Sequence, residues 1–151
     1  MAEMQARLAL LNADYARCID DDRLEDWPGF FLERCLYKIT TADNYARGYE
    51  AGLVYADSRA MLKDRVSALR EANVYERQRY RHIVGLPMAR EGGAAETPFL
   101  VVRIMRDGKM DLFATGRYLD RVVDQDNNLK FAERVVVCDS SRFDTLVAIP
   151  L

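Results

Sequence analysis

Histidine is almost missing from this sequence. A single imidazole, His82, serves 151 residues, and only three cysteines, Cys18, Cys35 and Cys138, accompany it. That scarcity excludes whole classes of chemistry. A two-histidine, one-carboxylate iron site cannot be assembled from one histidine, and a Rieske cluster needs two cysteines and two histidines. The common zinc motifs fail for the same reason, since no Cys pair has ligand spacing. The odd cysteine count, the wide separation and the apolar neighbours point to reduced, buried thiols rather than disulfides. Metal-binding and cofactor-binding residues are therefore expected to be none in this chain.

Other absences narrow the field further. No apolar run approaches the roughly 18 residues that span a bilayer, and the opening "MAEMQARLALLNADYARCIDDD" reads as a polar-faced helix with an acidic end. The expected location is the cytoplasm. A net charge of −2 with a pI near 5.5 offers little attraction to phosphates, so nucleic acid is not an expected partner. The glycines of "EGGAAETP" and "DGK" match neither a phosphate-binding loop nor a dinucleotide fingerprint. With only four prolines and no biased tract, nothing suggests a linker or a disordered segment.

What is present is a hydrophobic share of 50% and a charged share of 30%, the composition of an ordered globular chain. Residues 1–151 read as one domain, long enough to bury roughly 68–70% of the unfolded surface. Only Lys38, Lys63, Lys109 and Lys130 are lysines, so arginine dominates the 22 basic residues. Its planar fork suits bidentate pairing with carboxylates, which favours contacts between subunits.

Periodicity divides the chain into elements. Leu8, Leu11, Tyr15, Cys18 and Ile19 form one stripe of an amphipathic helix over residues 3–20. Asp21 or Asp22 is a candidate cap for a short helix through Trp27, which Pro28-Gly29 should break. "FLERCLYKIT" alternates as a strand with Cys35, Tyr37 and Ile39 on one face. "TADNYARGYEAGLVYAD" reads as a long loop with room for a short strand at Leu53 to Tyr55. Asp57 or Ser58 caps a second helix with Met61, Leu62, Val66 and Leu69 as its buried stripe, ending near Glu71 to Val74.

From residue 79 onward the period is two, through "RYRHIVGLPM", "FLVVRIMRDGKMDLFATGRYLDRVV", "LKFAERVVVCD" and "DTLVAIPL". Asp107-Gly108 signals a two-residue hairpin and "DQDNN" a turn cluster, so consecutive strands should pair antiparallel as a meander. The expected fold is α+β, with early helices packed on one face of a curved antiparallel sheet. Leu146, Val147, Ile149 and Leu151 are too apolar for a free tail and should be buried in the core or against another subunit.

The remaining candidates each carry two readings. His82 shares a strand face with Tyr80 and Val84, opposite Arg79, Arg81 and Ile83, so it could serve as a base inside a cone-shaped pocket. The reading the pattern favours is a satisfied, partly buried histidine at the sheet surface or at a subunit contact. "DDDRLED" reads as a solvated helix junction, and Trp27, Phe30 and Phe31 as core fillers. Asp120 beside Arg121, and Glu133 beside Arg134, read as strand-surface charges, or as a ring of charges at a symmetric interface.

In combination, "LEDWPGFF", "CLYKITTADN", "VYADSRAMLKDRVSALREANVYERQRYRHIVG", "FATGRYLD" and "FAERVVVCDSSRFDTLVAIPL" resemble the small, or beta, subunit of Rieske-type aromatic-ring-hydroxylating dioxygenases. The resemblance covers nearly the whole chain. Within the family it is nearest to small subunits of enzymes acting on single-ring aromatic carboxylates, such as terephthalate dioxygenase and salicylate 5-hydroxylase. Many relatives carry a Pro-Ser-Arg-Thr-Arg-His-like stretch followed by Ser-Asn, where this chain has Arg79-Tyr80-Arg81-His82 followed by Ile83-Val84-Gly85.

The resemblance implies a cone-shaped fold like nuclear transport factor 2 and ketosteroid isomerase. It implies an α3β3 hexamer containing a beta trimer, active in aromatic degradation. The Rieske [2Fe-2S] cluster and mononuclear Fe(II) would lie in the partner alpha subunit, supplied with electrons from NADH through a reductase. The resemblance implies no catalytic role for His82 and no catalytic residues in this chain. The alternatives are a stand-alone cone-fold isomerase or dehydratase using His82, or a ligand-binding module.

Overall fold

The computed structural model describes residues 2–48, 52–72, 78–140 and 149–151. Helix α1 spans Ala2–Asp20 and buries Leu8, Tyr15, Cys18 and Ile19 as the spacing predicts. Asn12 joins that stripe, and Leu11 sits at its half-buried edge. The helix ends in a left-handed turn at Asp22, with φ of 61°. There the Arg23 N–H reaches the Cys18 carbonyl and the Asp22 N–H reaches that of Ile19. These two bonds satisfy carbonyls that a helix C-terminus otherwise leaves open.

Asp22 therefore closes the first helix instead of capping the next. The following 3-10 helix, Leu24–Phe30, has Arg23 at its N-cap with no side-chain capping bond. It also runs through Pro28-Gly29, and extended backbone begins at Phe31. Proline's fixed φ is compatible with a short helical turn, so it does not break this one.

Strand β1, Phe31–Thr41, buries Cys35, Tyr37 and Ile39. The expected long loop after it contains a short helix α2, Ala42–Ala46, because Thr41 accepts the Asn44 N–H at 3.2 Å. Strand β2 is Val54–Ser58, overlapping the predicted Leu53 to Tyr55. Ser58 then caps helix α3, Arg59–Glu71, by accepting the Met61 N–H at 3.2 Å. Leu62, Val66 and Leu69 are buried, but Met61 is exposed in the first turn. The predicted reach of this helix to Val74 extends outside the described residues.

The remaining strands are β3 (Gln78–Val84), β4 (Met88–Ala89), β5 (Ala94–Met105), β6 (Met110–Gln125) and β7 (Asn128–Cys138). Their order in the sheet is β2-β1-β7-β6-β5-β3, with β4 also on β5. The meander is antiparallel as predicted from β5 through β7. The sheet as a whole is mixed, because β1 and β7 pair in parallel from Leu36↔Glu133 to Thr41↔Cys138. Local turns determine direction within a hairpin, but no turn joins β1 to β7, so nothing local specified their sense. Helices and strands also interleave more than the helices-first pattern suggested, with β1 and β2 preceding α3.

The turns follow from conformation. Asp126 and Asn127 both have positive φ, 53° and 68°, which is the two-residue turn that matches strand twist. At Asp107-Gly108 the loop is three residues long: the Gly108 N–H bonds to the Met105 carbonyl, and Met105 pairs with Lys109. Gly108, at φ 90°, occupies the position only glycine adopts easily.

Register shifts between Val101 and Val102 on β5 and between Arg121 and Val122 on β6 bend the sheet around its contents. The concave side holds an aromatic core. Tyr15 meets Phe30, Phe31, Tyr118 and Phe131 with ring centroids 5.6 to 6.4 Å apart. Trp27 stands edge-on to Phe31 and Tyr37, so these aromatics are core fillers as expected. Ile149 and Leu151 are buried, whereas Leu146 and Val147, with the strand proposed for "DTLVAIPL" up to residue 148, lie outside the described residues.

Candidate functional site

The lone histidine has a partner that no local pattern could reveal. Asp20, the last residue of α1, reaches across to β3, where alternation turns Tyr80 and His82 inward. Its Oδ2 accepts the His82 backbone N–H at 2.8 Å, and its Oδ1 lies 2.7 Å from His82 Nδ1. Both side chains are essentially sealed, at 0% and 3% exposure. Asp20 is thus withdrawn from the solvated aspartate run, while Asp22 stays outside and pairs with Arg70 at 2.9 Å.

An aspartate that fixes the tautomer of an imidazole is half of a general-base arrangement. The other half is access to a substrate proton. Here the His82 Nε2 is enclosed and has no hydrogen-bond partner among the described residues. The Tyr80 and His82 ring centroids lie 6.1 Å apart, and Tyr80 stacks on Phe113 at 5.3 Å. Burial pushes the Tyr80 hydroxyl above its ordinary pKa, with Arg103 and Arg65 pulling the other way.

Deeper in the cone lies a constellation assigned to the surface by sequence and placed in the core by the fold. Arg134 and Asp120 are both 0% exposed at their side chains. The guanidinium makes a fork to the carboxylate, Nε to Oδ1 and Nη2 to Oδ2, each 2.8 Å. Nη2 also donates to Asn12 Oδ1 at 2.5 Å, and Asn12 Nδ2 reaches Thr97 Oγ1 at 3.3 Å. Tyr118, Phe131 and Tyr15 surround the cation at 3.8, 4.0 and 4.4 Å from their ring centroids. Burial works against the Arg134 charge, but the Asp120 carboxylate outweighs it and raises the pKa above the ordinary value.

A signal for this pair did exist. Asp120 has the same strand parity as buried Tyr118 and Val122, so period two alone places it inward. The result is a cone whose centre is filled by an ion pair and aromatic rings.

The donor set of this chain does not fit a redox metal. His82 has one nitrogen committed to Asp20, and Cys18 donates to the Arg23 carbonyl at 2.9 Å. Burial pushes the thiols of Cys18 and Cys138 up to about 11 and about 12, and raises that of Cys35. Metal coordination requires the opposite, a thiolate near neutral pH. Among the described residues no three His, Cys, Asp or Glu side chains converge on a metal position, and no helix is long and apolar enough to cross a membrane.

A cone-shaped α+β scaffold with a filled polar centre is the class these features define. The family model described as "Ring hydroxylating beta subunit" matches residues 14–145, and the chain belongs to that family. It is 52% identical to a terephthalate 1,2-dioxygenase terminal oxygenase component subunit beta 1 from Comamonas sp, across 97% of this chain and 98% of that one. It is 37% identical to an anthranilate 1,2-dioxygenase small subunit from Burkholderia cepacia, across 94% and 91%. Among solved structures, a protein described as the beta subunit of an aromatic-ring-hydroxylating dioxygenase, from Novosphingobium aromaticivorans, superimposes with a TM-score of 0.88. It shares 35% identity and covers 99% of this chain and 98% of its own.

Proposed function

We propose that this chain, residues 1–151 acting as a single domain, is the structural small subunit of an oxygenase that hydroxylates a single-ring aromatic carboxylate, with terephthalate as the first candidate. The observation that carries the reading is 52% identity extending over nearly all of both chains, to a subunit of a terephthalate dioxygenase. The anthranilate relative supports the same substrate class, a ring bearing a carboxylate. In this reading no residue here is catalytic, cofactor-binding or metal-binding. A Rieske cluster and mononuclear iron reside in a large alpha partner, and a reductase delivers electrons from NADH.

Three small subunits and three large ones would form an α3β3 assembly in the cytoplasm. Its physical purpose is fixed separation, since electron transfer between metal centres on neighbouring chains needs rigid registration. The arginine-rich surface supplies forks suited to such contacts.

Co-expression with the large subunit of a terephthalate-type oxygenase tests the reading. The two should co-elute as a hexamer and consume oxygen with terephthalate, NADH and reductase, while this chain alone should hold no stoichiometric iron. Oxidation of an aromatic acid without the large subunit would overturn it. The second reading, a stand-alone isomerase or dehydratase, has the Asp20 and His82 pair in its favour and the enclosure of Nε2 against it. His82→Ala separates the two: abolished turnover of a small substrate by a folded, assembled protein supports the enzyme.

A further inference from the structure

One free edge of the sheet is formed by β3 and β4, which both pair with β5 and, among the described residues, with no strand on their other side. An open edge is a template on which another chain can add a strand. Arg79 and Arg81 stand exposed on the first half of β3, and charge there deters such pairing. From residue 82 to residue 89 the edge has no Arg, Lys, Asp or Glu, and Ile83, Leu86 and Met88 are instead 56%, 83% and 55% exposed. That apolar stretch needs another defence.

The backbone directions show where it lies. The Gly85 N–H bonds to the Pro98 carbonyl and the Arg90 N–H to the Ala94 carbonyl, both on β5. Alternation therefore turns the N–H groups of His82 and Ala89, and the carbonyl of Pro87, away from the sheet. Side chains of α1 take all three. Gln5 Oε1 accepts the Ala89 N–H at 3.1 Å, and Gln5 Nε2 donates to the Pro87 carbonyl. A carboxamide offers one acceptor beside a donor as a peptide group does, so Gln5 fills the place of a neighbouring strand. Asp20 Oδ2 takes the His82 N–H at 2.8 Å, while Oδ1 is held 2.7 Å from the imidazole Nδ1. Proline at 87 has no N–H to present.

Gln5 and Asp20 stand at opposite ends of α1, and the stripe between them is buried in the core. The helix thus carries one blocking side chain to each end of the uncharged stretch. We propose that Gln5 and Asp20 guard this edge: they prevent strand addition on β3 and β4 by a second copy of the chain and leave its other surfaces to govern assembly.

The proposal is independent of the oxygenase reading, and its test needs no large subunit. The full chain and a Gln5→Ala, Asp20→Ala double variant are compared by sedimentation velocity over a concentration series and by hydrogen exchange. As concentration rises, the variant should form species larger than any the parent forms. In dilute solution its His82 and Ala89 amides should exchange roughly tenfold faster than in the parent, and their protection should return in the larger species. Asp120→Ala controls for lost stability alone, since it weakens the core away from this edge and should not enlarge the assembly. Asp20→Asn keeps an oxygen for the His82 N–H and should behave as the parent. A double variant that matches the parent in size at every concentration would overturn the proposal. So would equal assembly by Asp120→Ala, or larger species in which the two amides stay unprotected. Gln5→Ala alone carries the same expectation for Ala89 and decides the matter if the double variant does not fold.

Discussion

At the scale of single residues, the Arg134 and Asp120 pair shows how an ion pair becomes structural. Two charges withdrawn from water are tolerated because the fork is bidentate and three rings cover the cation. Asp120→Ala leaves the guanidinium buried without its carboxylate. It should lower unfolding free energy by about 3–5 kcal/mol in urea titrations. Replacing both partners with apolar residues of similar volume should cost much less; an equal loss would show that the pair does more than neutralise itself. The thiols offer a second residue-scale prediction. With Cys18 at about 11 and Cys138 at about 12, little thiolate exists at pH 8, and all three cysteines are buried. Iodoacetamide should leave the native chain unlabelled by mass spectrometry and label three sites in denaturant.

At the scale of elements, the contacts that matter join segments whose sequences give no hint of each other. Arg70 on α3 reaches both Asp22 and Glu25, tying that helix to the 3-10 turn after α1. Hydrogen bonding from Arg70 holds the Glu25 carboxyl below its ordinary 4.5. A depressed acid stabilises the fold above its unfolded pKa, and that contribution disappears as pH falls through the folded value. Thermal melts of Glu25→Gln and the parent chain should therefore differ most at neutral pH and converge below about pH 4.5. The effect should be small, since these charges are exposed and screened. The helices themselves were legible: Ser58 caps α3 where the sequence allowed Asp57 or Ser58, and the stripe of α1 is in place. The closure of α1 by Asp22 was less legible, because aspartate in a left-handed turn looks the same in sequence as aspartate in a cap.

At the scale of the whole molecule, Leu151 becomes part of the core. The Leu151 carbonyl accepts the Tyr15 hydroxyl at 2.8 Å and the Tyr37 hydroxyl at 3.0 Å, and its N–H returns a bond to Tyr37 at 3.1 Å. Deleting the last five residues removes these bonds and the buried leucine. The truncated chain should lose at least about 3 kcal/mol of stability and should assemble poorly with a large subunit. Denaturant titration and gel filtration check it, and a truncated chain that behaves like the parent would refute it.

Composition alone limited this protein to one histidine and scattered thiols, and the periodicities marked out its helices, its meander and its apolar tail. Those features are local, because they follow from spacing and side-chain type. The tertiary structure decided what lies far apart in the chain: the parallel pairing of β1 with β7, the inward turn of Asp20 to His82 and the meeting of Asp120 with Arg134, Asn12 and the rings around them. Each depends on which surfaces meet when the sheet curves, and a one-dimensional pattern carries no information about that curvature.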